Sequence, residues 1–392
     1  MMKHYRLGEI CNIVSGGTPS RSNTSFWEGG TIPWIKIGNI SQKYVNTADE
    51  YITQEGLDGS SAKMLPSGTI LYTIFATLGE VGILSIDACT NQAIAGLTIR
   101  NLEQVRTDYI YYYLKSRKVY VSNLGRGVAQ NNINMSILRD FDVPLPSIEQ
   151  QDEIITVLEK TSAVIEGRKE ELGKLDDLIK ARFVEMFGDP RNNSRYNYVS
   201  FEELVEYMGD IGSNGANKVV TEHLDMKDEE DYALMVRFLN FTKNDFTDDV
   251  KYISQDAYEF FKKSQIFGGE LIICKIGSAG QNYVMPSLNR PVSLGLNQIM
   301  VRINDKVLMP YLYQYLHTEY GESLISGCIN GAVTKSITKT ELKKIPVMLP
   351  SKDEQRQFAS FVEQVDKSKD LIQKSIYKTQ LLFDSLMQEY FA

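Results

Sequence analysis

Hydrophobic residues recur every seven positions over residues 148–187, where Leu158, Ile165, Leu172, Ile179 and Met186 are separated mostly by charged and polar side chains. A seven-residue step keeps one apolar seam along one side of a helix, so the pattern predicts a single long helix of coiled-coil type. A seam of that length needs a partner. Near the other end of the chain Val362, Ile376, Phe383 and Tyr390 keep the same step, interrupted once by Lys369, with Phe358, Val365, Ile372 and Leu386 on the same face. One shift of 204 residues aligns the two stretches: Pro146 falls on Pro350, Gln151 on Gln355, Leu158 on Val362 and Met186 on Tyr390. The chain is a repeat.

Residues 1–147 read as a mixed α/β (α+β) domain. A short amphipathic opening, LGEICNIV, runs into a Gly-Gly-Thr-Pro-Ser loop; a tight turn then precedes the apolar strand of PWIKIGNI. GTILYTI (68–74) and Asn91-Gln92-Ala93-Ile94 are strand-like, Asp108–Ser116 is a tyrosine-rich helix, and Leu124–Asn134 is a polar glycine loop before the closing VPLP (143–146). The proline pair suits a stop ahead of the long helix. The second half repeats this order. MVRFLNF (235–241) stands for PWIKIGNI, with Arg237 for Lys36 and Asn240 for Asn39, and GELIICKI (269–276) stands for GTILYTI. Asn297-Gln298 matches Asn91-Gln92, PYLYQYLHT shares four of nine residues with DYIYYYLKS, and NGAVTKSI (330–337) replaces RGVAQNNI. The organisation expected is a domain at 1–147, a helix at 148–190, a second domain at 191–348 and a last helix at 349–392, with Gly188-Asp189-Pro190 ending the first helix.

Composition narrows the class. The chain has 392 residues, 43% of them hydrophobic, enough for more than one core. It has no apolar run near membrane-spanning length and no signal-like start, and its four cysteines are scattered, so a soluble protein of the reducing cytoplasm is expected. A net charge of −8 argues on its face against a nucleic-acid binder.

The run LGEI, GGTPS, IPWI and GNI, then Asn-Gln, a tyrosine helix, a glycine loop and VPLPSIEQQ leading into a heptad helix, most of it recurring in the second half, resembles the specificity subunit of a type I restriction-modification system. The two Pro-x-x-x-x-Gln helix starts and the duplicated plan are its most specific parts; the second domain lacks the Thr-Pro-Ser of the first loop. The resemblance implies two target-recognition domains, each reading one half of a split asymmetric sequence of double-stranded DNA. It implies two long helices paired as an antiparallel coiled-coil spacer, in a pseudo-twofold arrangement. It also implies two modification subunits that methylate adenine with S-adenosylmethionine, and ATP-driven restriction subunits in systems that have them. Cofactors would then reside in the partners and not in this chain. Two other readings are an orphan-methylase or related defence-system subunit without nuclease, and a coiled-coil scaffold that binds no DNA.

The residues agree by what they omit. There is no Asn-Pro or Pro-Pro dipeptide for an adenine methyltransferase site, and three histidines (His4, His223, His317) are too few and too scattered for a metal site or a catalytic triad. Asp245, Asp248 and Asp249 beside Lys251 read as a solvated cluster and not a nuclease centre. In the polar loops, Asn and Gln suit adenine, Arg and Lys suit guanine, and Ser and Thr suit phosphate. The candidate DNA-binding residues are Thr18, Ser20, Arg21, Lys36, Asn39, Arg126, Gln130, Asn131 and Asn132 in the first domain. In the second they are Lys218, Arg237, Asn240, Lys275, Asn330, Thr334, Lys335 and Ser336. The tyrosines of the two repeated helices read as core. The acidic balance is reconciled if basic residues gather in these loops while Asp and Glu crowd the helices and linkers.

Overall fold

The computed structural model describes residues 3–126 and 132–391. They form two compact units, Met1–Glu170 with Gln373–Ala392, and Glu171–Ile372. Each long helix, Ile148–Phe187 and Lys352–Phe391, is shared between them.

In the first unit a five-stranded sheet runs in the order Cys11–Ser15, Ile94–Ile99, Ile70–Thr73, Val81–Leu84, Tyr44–Val45. Beside it lie a three-stranded sheet of Glu50–Ile52, Ile32–Ile35 and Cys89–Thr90, and an antiparallel ladder of Lys3–Arg6 with Asp142–Leu145. The second unit repeats the plan. Val205–Gly209, Gln298–Ile303, Leu271–Cys274 and Asn282–Val284 form one sheet; Lys251–Ile253, Ala233–Val236, Val292–Leu294 and Gln265–Ile266 form another; Asn197–Ser200 pairs with Pro346–Leu349. The central strands Ile70–Thr73 and Leu271–Cys274 are buried along their whole length, which is why they read as continuous apolar runs without alternation. Asn91-Gln92-Ala93 is not strand; the strand starts at Ile94, because Asn91 Oδ1 accepts the Ala93 N–H at 3.1 Å and turns the chain.

Both tyrosine helices are core. In Thr107–Ser116 every residue from Tyr109 to Leu114 is buried. Tyr109 donates to the Pro144 carbonyl at 2.6 Å and Tyr113 to that of Asp142 at 2.9 Å; Tyr311 and Tyr315 donate likewise to Met348 and Pro346, both at 2.7 Å. The four-residue spacing thus fastens each helix to the strand that closes its domain.

Within the first unit Leu158 and Ile165 share a core with Phe383, Met387 and Phe391; within the second, Ile179, Phe183 and Phe187 share one with Phe358 and Val365. Asp176 meets Lys369 at 2.5 Å and Phe187 packs on Phe358 with ring centroids 5.6 Å apart, so position rises on one helix as it falls on the other and the pairing is antiparallel. Of the seam, Leu158, Ile165, Ile179, Phe358, Val365, Ile372 and Phe383 are buried, while Leu172, Met186, Val362, Ile376 and Leu386 are half-buried. Phe183, Phe187, Met387 and Phe391 lie off the seven-residue step and are buried too, because each helix also packs against the domain beside it and needs a wider apolar stripe. Gly188, at φ +75°, ends the first helix. No described helix is long and apolar enough to cross a membrane.

Candidate nucleic-acid interface

In the first unit the Gly-Gly-Thr-Pro-Ser loop is pressed against the turn at Asn91. The Gly17 N–H donates to the Thr90 carbonyl at 2.8 Å, and a Cβ on Gly16 would stand 2.1 Å from the Asn91 oxygen, so only glycine fits there. Trp34 Nε1 donates to the Gly17 carbonyl at 2.9 Å, and the Thr18 hydroxyl donates to Gln92 Oε1. Arg21 stacks over Trp27, 3.6 Å from the ring centroid, and reaches Glu50 at 2.5 Å; Lys36 reaches the other oxygen of that carboxylate at 2.5 Å. The hydrogen bond from Lys36, with Arg21 beside it, holds the Glu50 carboxyl below its usual range. Arg21 and Lys36 are therefore brought together. Ser20 is exposed and hydrogen-bonds Ser22 at 2.8 Å.

Of the expected glycine loop, the two ends lie among the described residues. Asn132 is exposed and bridges to Phe75, and the next N–H, of Ile133, donates to the Ile74 carbonyl at 3.0 Å. Gln130 and Asn131 lie outside the described residues. Arg126 is not in a loop: Lys118–Arg126 is a helix, and of the Arg126 side chain nothing is described.

The second unit ties its loops at corresponding points. Ile276 bridges to Ser336, and the Ile337 N–H donates to the Lys275 carbonyl at 3.0 Å. Ile329–Asn330 pairs with Ser336–Ile337 as a hairpin whose tip holds Thr334 and Lys335, both exposed. Gly331, at φ +102°, makes that tip possible. Asn330 is exposed and donates to the Cys328 carbonyl at 3.2 Å. Lys275 Nζ lies 2.7 Å from Asp210, and Lys339, from the helix after the hairpin, lies 3.1 Å from the same carboxylate. Asp210 also accepts from Ser213 at 3.0 Å. Burial alone would raise its carboxyl, but the two lysines outweigh that and hold it down at about 2.

Lys218 is exposed on the helix Asn217–His223. Arg237 donates to Asp249, carboxylate (2.9 Å) and main chain alike. Asp245 accepts from Thr247 and from the Asp248 N–H, so the acidic run is a turn that caps itself.

Two expectations need correction. Asn240 is 1% exposed and its carboxamide oxygen accepts the Arg237 N–H at 2.8 Å, so it holds the strand-to-helix turn and does not reach a base. Asn39, half-buried, makes the same bond to the Lys36 N–H at 2.9 Å, so its carboxamide oxygen is already engaged in the turn. Nor are the loops a bare basic surface, since Arg21, Lys36, Arg237 and Lys275 each meet a carboxylate. The helices do carry acid: the two 40-residue helices hold 17 Asp and Glu against 12 Lys and Arg. Asp210 and Lys339 were not among the residues chosen from the sequence.

The type I restriction modification DNA specificity domain matches residues 1–174 and again 205–379. The MjaIX specificity subunit of Methanocaldococcus jannaschii is 28% identical over 234 residues, 55% of this chain and 54% of that protein. The EcoR124I/EcoR124II specificity subunit of Escherichia coli is 29% identical over 176 residues, 42% of this chain and 43% of that one. The chain thus spans about half the length of these relatives. The EcoKI specificity subunit of Escherichia coli K12 aligns more weakly but more fully, 20% identical over 98% of this chain and 86% of its own. Two solved structures share the fold across the whole chain. The type I restriction-modification S subunit from M. genitalium has TM-score 0.52 at 15% identity with 96% of it covered; a chain from a study of type I complex assembly and conformational transition has TM-score 0.57 at 17% with 97% covered.

Proposed function

Because the chain belongs to the family of type I restriction modification DNA specificity domains, we propose that it is the non-catalytic, sequence-reading subunit of a type I restriction-modification complex. Each unit takes one half of a split, asymmetric DNA target. One observation carries the reading: the units share a framework down to single main-chain bonds, yet present different side chains from the same tethered loops. Ile74 and Phe75 beside Asn132 become Lys275 and Ile276 beside Ser336. A shared frame with unlike reading heads suits a target whose halves differ. In this reading two modification subunits carry S-adenosylmethionine and methylate adenine, and ATP-driven restriction subunits join where cleavage occurs. The long helices set the gap between the half-sites, and the complex works on DNA in the cytoplasm.

The test is an exchange. Replacing residues 1–147 with the first domain of another family member, in the assembled methyltransferase, should change one half of the methylated motif and leave the other. Loss or change of both halves would refute the division of labour.

A further inference from the structure

In each unit one pair of cations closes on a single carboxylate of the chain itself. In the second unit Lys275 and Lys339 flank Asp210 at 2.7 and 3.1 Å, with side chains 37 and 36% exposed in front of a carboxylate that is only 9% exposed. In the first, Arg21 and Lys36 close on Glu50, both at 2.5 Å, with the arginine further fixed on Trp27. The partners come from distant stretches: Asp210 and Lys339 are 129 residues apart in sequence. In each cluster the carboxylate is the least exposed member, by a wide margin for Asp210 and by a narrow one for Glu50 beside Lys36. A pair in this state is already ordered, so little side-chain entropy remains to be lost on meeting phosphate. It is also partly neutralised, which weakens the sequence-independent attraction that any duplex exerts.

We propose that Asp210 and Glu50 are positioning residues that hold each cation pair for contact and limit its charge, and that they thereby restrain sequence-independent binding to DNA. The proposal rests on the DNA-binding reading above. Two effects oppose one another when the charge is removed. Loss of order weakens a contact that needs one geometry, whereas loss of a negative charge behind two cations strengthens contact with any phosphate. Non-specific binding depends mainly on charge and follows the second effect.

The test uses the full chain and a mixed-sequence 30-base-pair duplex, with anisotropy followed over a KCl series, for wild type, Asp210→Asn, Glu50→Gln and Lys275→Ala. Both neutralised variants should bind this duplex about threefold or more tighter than wild type, with a salt dependence steeper by about 0.9 per additional phosphate engaged. Lys275→Ala should bind more weakly. A carboxylate that merely supported the fold would lower binding when neutralised and could not steepen the salt slope. If Asp210→Asn melts early, Glu50→Gln, whose carboxylate is more exposed, carries the same test. Wild-type binding that Lys275→Ala weakens but neither neutralised variant strengthens overturns this proposal and leaves the DNA-binding reading standing; a duplex bound by none of the four, either alone or in the assembled methyltransferase, overturns both.

Discussion

Gln151 accepts the main-chain N–H of Arg106 on Oε1 at 2.9 Å, tying the start of the first long helix to the start of the tyrosine helix. Its Nε2 donates to the Gln104 and Pro146 carbonyls, both at 3.0 Å, and the side chain is fully buried. Gln355 repeats the arrangement with the Leu308 N–H at 2.8 Å and the Lys306 and Pro350 carbonyls at 3.3 and 3.0 Å. The Pro-x-x-x-x-Gln signature therefore has a physical reason. One carboxamide satisfies three main-chain groups at a buried junction where no regular ladder reaches them.

Gln151→Leu keeps the volume and orphans those three groups. At about 1–3 kcal/mol for each buried unsatisfied group, the loss should be about 3 kcal/mol or more. Urea unfolding of the full chain measures it, and hydrogen exchange at the Arg106 N–H should quicken in step. A midpoint within error of wild type would show that water replaces the carboxamide at no cost.

The repeat, the helices and the core tyrosines were legible in the sequence because they rest on local spacing: seven residues for the seam and four for the tyrosines. The loop cations Arg21, Lys36 and Lys275 were legible as residues but not as a state. Their carboxylate partners, Glu50 for Arg21 and Asp210 for Lys275, lie well apart from them in sequence and are set beside them only by the fold, which also brings in Lys339, a residue the sequence did not point to. Asn240 misled for a different reason. A carboxamide that suits adenine suits a main-chain N–H three residues earlier equally well, and spacing does not distinguish the two uses.

Burial pushes the Tyr113 hydroxyl up to about 12 from an ordinary 10.0, with the ring 1% exposed. A group raised in the folded state adds stability that is fully present below pH 10 and is lost as pH rises to about 12, because the unfolded chain ionises first. Tyr112 and Tyr313 are likewise pushed up to about 12, so alkaline unfolding should set in across this window. At pH 8 Tyr113→Phe should be less stable by about 1–3 kcal/mol, since the Asp142 carbonyl loses its donor. That deficit should shrink between pH 10 and 12, where only the wild type still loses the tyrosine's contribution. Urea midpoints at pH 8 and 11.5 decide it; a constant deficit would mean that Tyr113 is not held neutral by burial.

The helices allow the gap between half-sites to be tested directly, provided the deletion avoids the domain cores. Leu158 and Val362 are poor places to cut, since Leu158 is fully buried in the first unit's core and Val362 packs on the second's. Gly167 and Gly173 are better, because a Cβ on either would meet nothing within 4 Å. Removing Gly167–Gly173 together with Ile372–Lys378 takes one heptad from each helix and keeps the seven-residue step in register, at the cost of Ile372 on the seam and the half-buried Ile376 at the edge of the first unit's core but of no buried member of either core. At ~1.5 Å per residue each helix shortens by about 10 Å, close to three base pairs at ~3.4 Å. Three base pairs also rotate the duplex by about 100° at ~10.5 per turn, so a compensated target needs both the shorter gap and a matching phase. The assembled methyltransferase carrying this variant should therefore methylate a target with a shortened gap in preference to the original, or lose the original without a replacement. The measurement is adenine methylation over a substrate series that varies only in gap length. An unchanged preference would show that the helices do not set the spacing, whatever else they hold together.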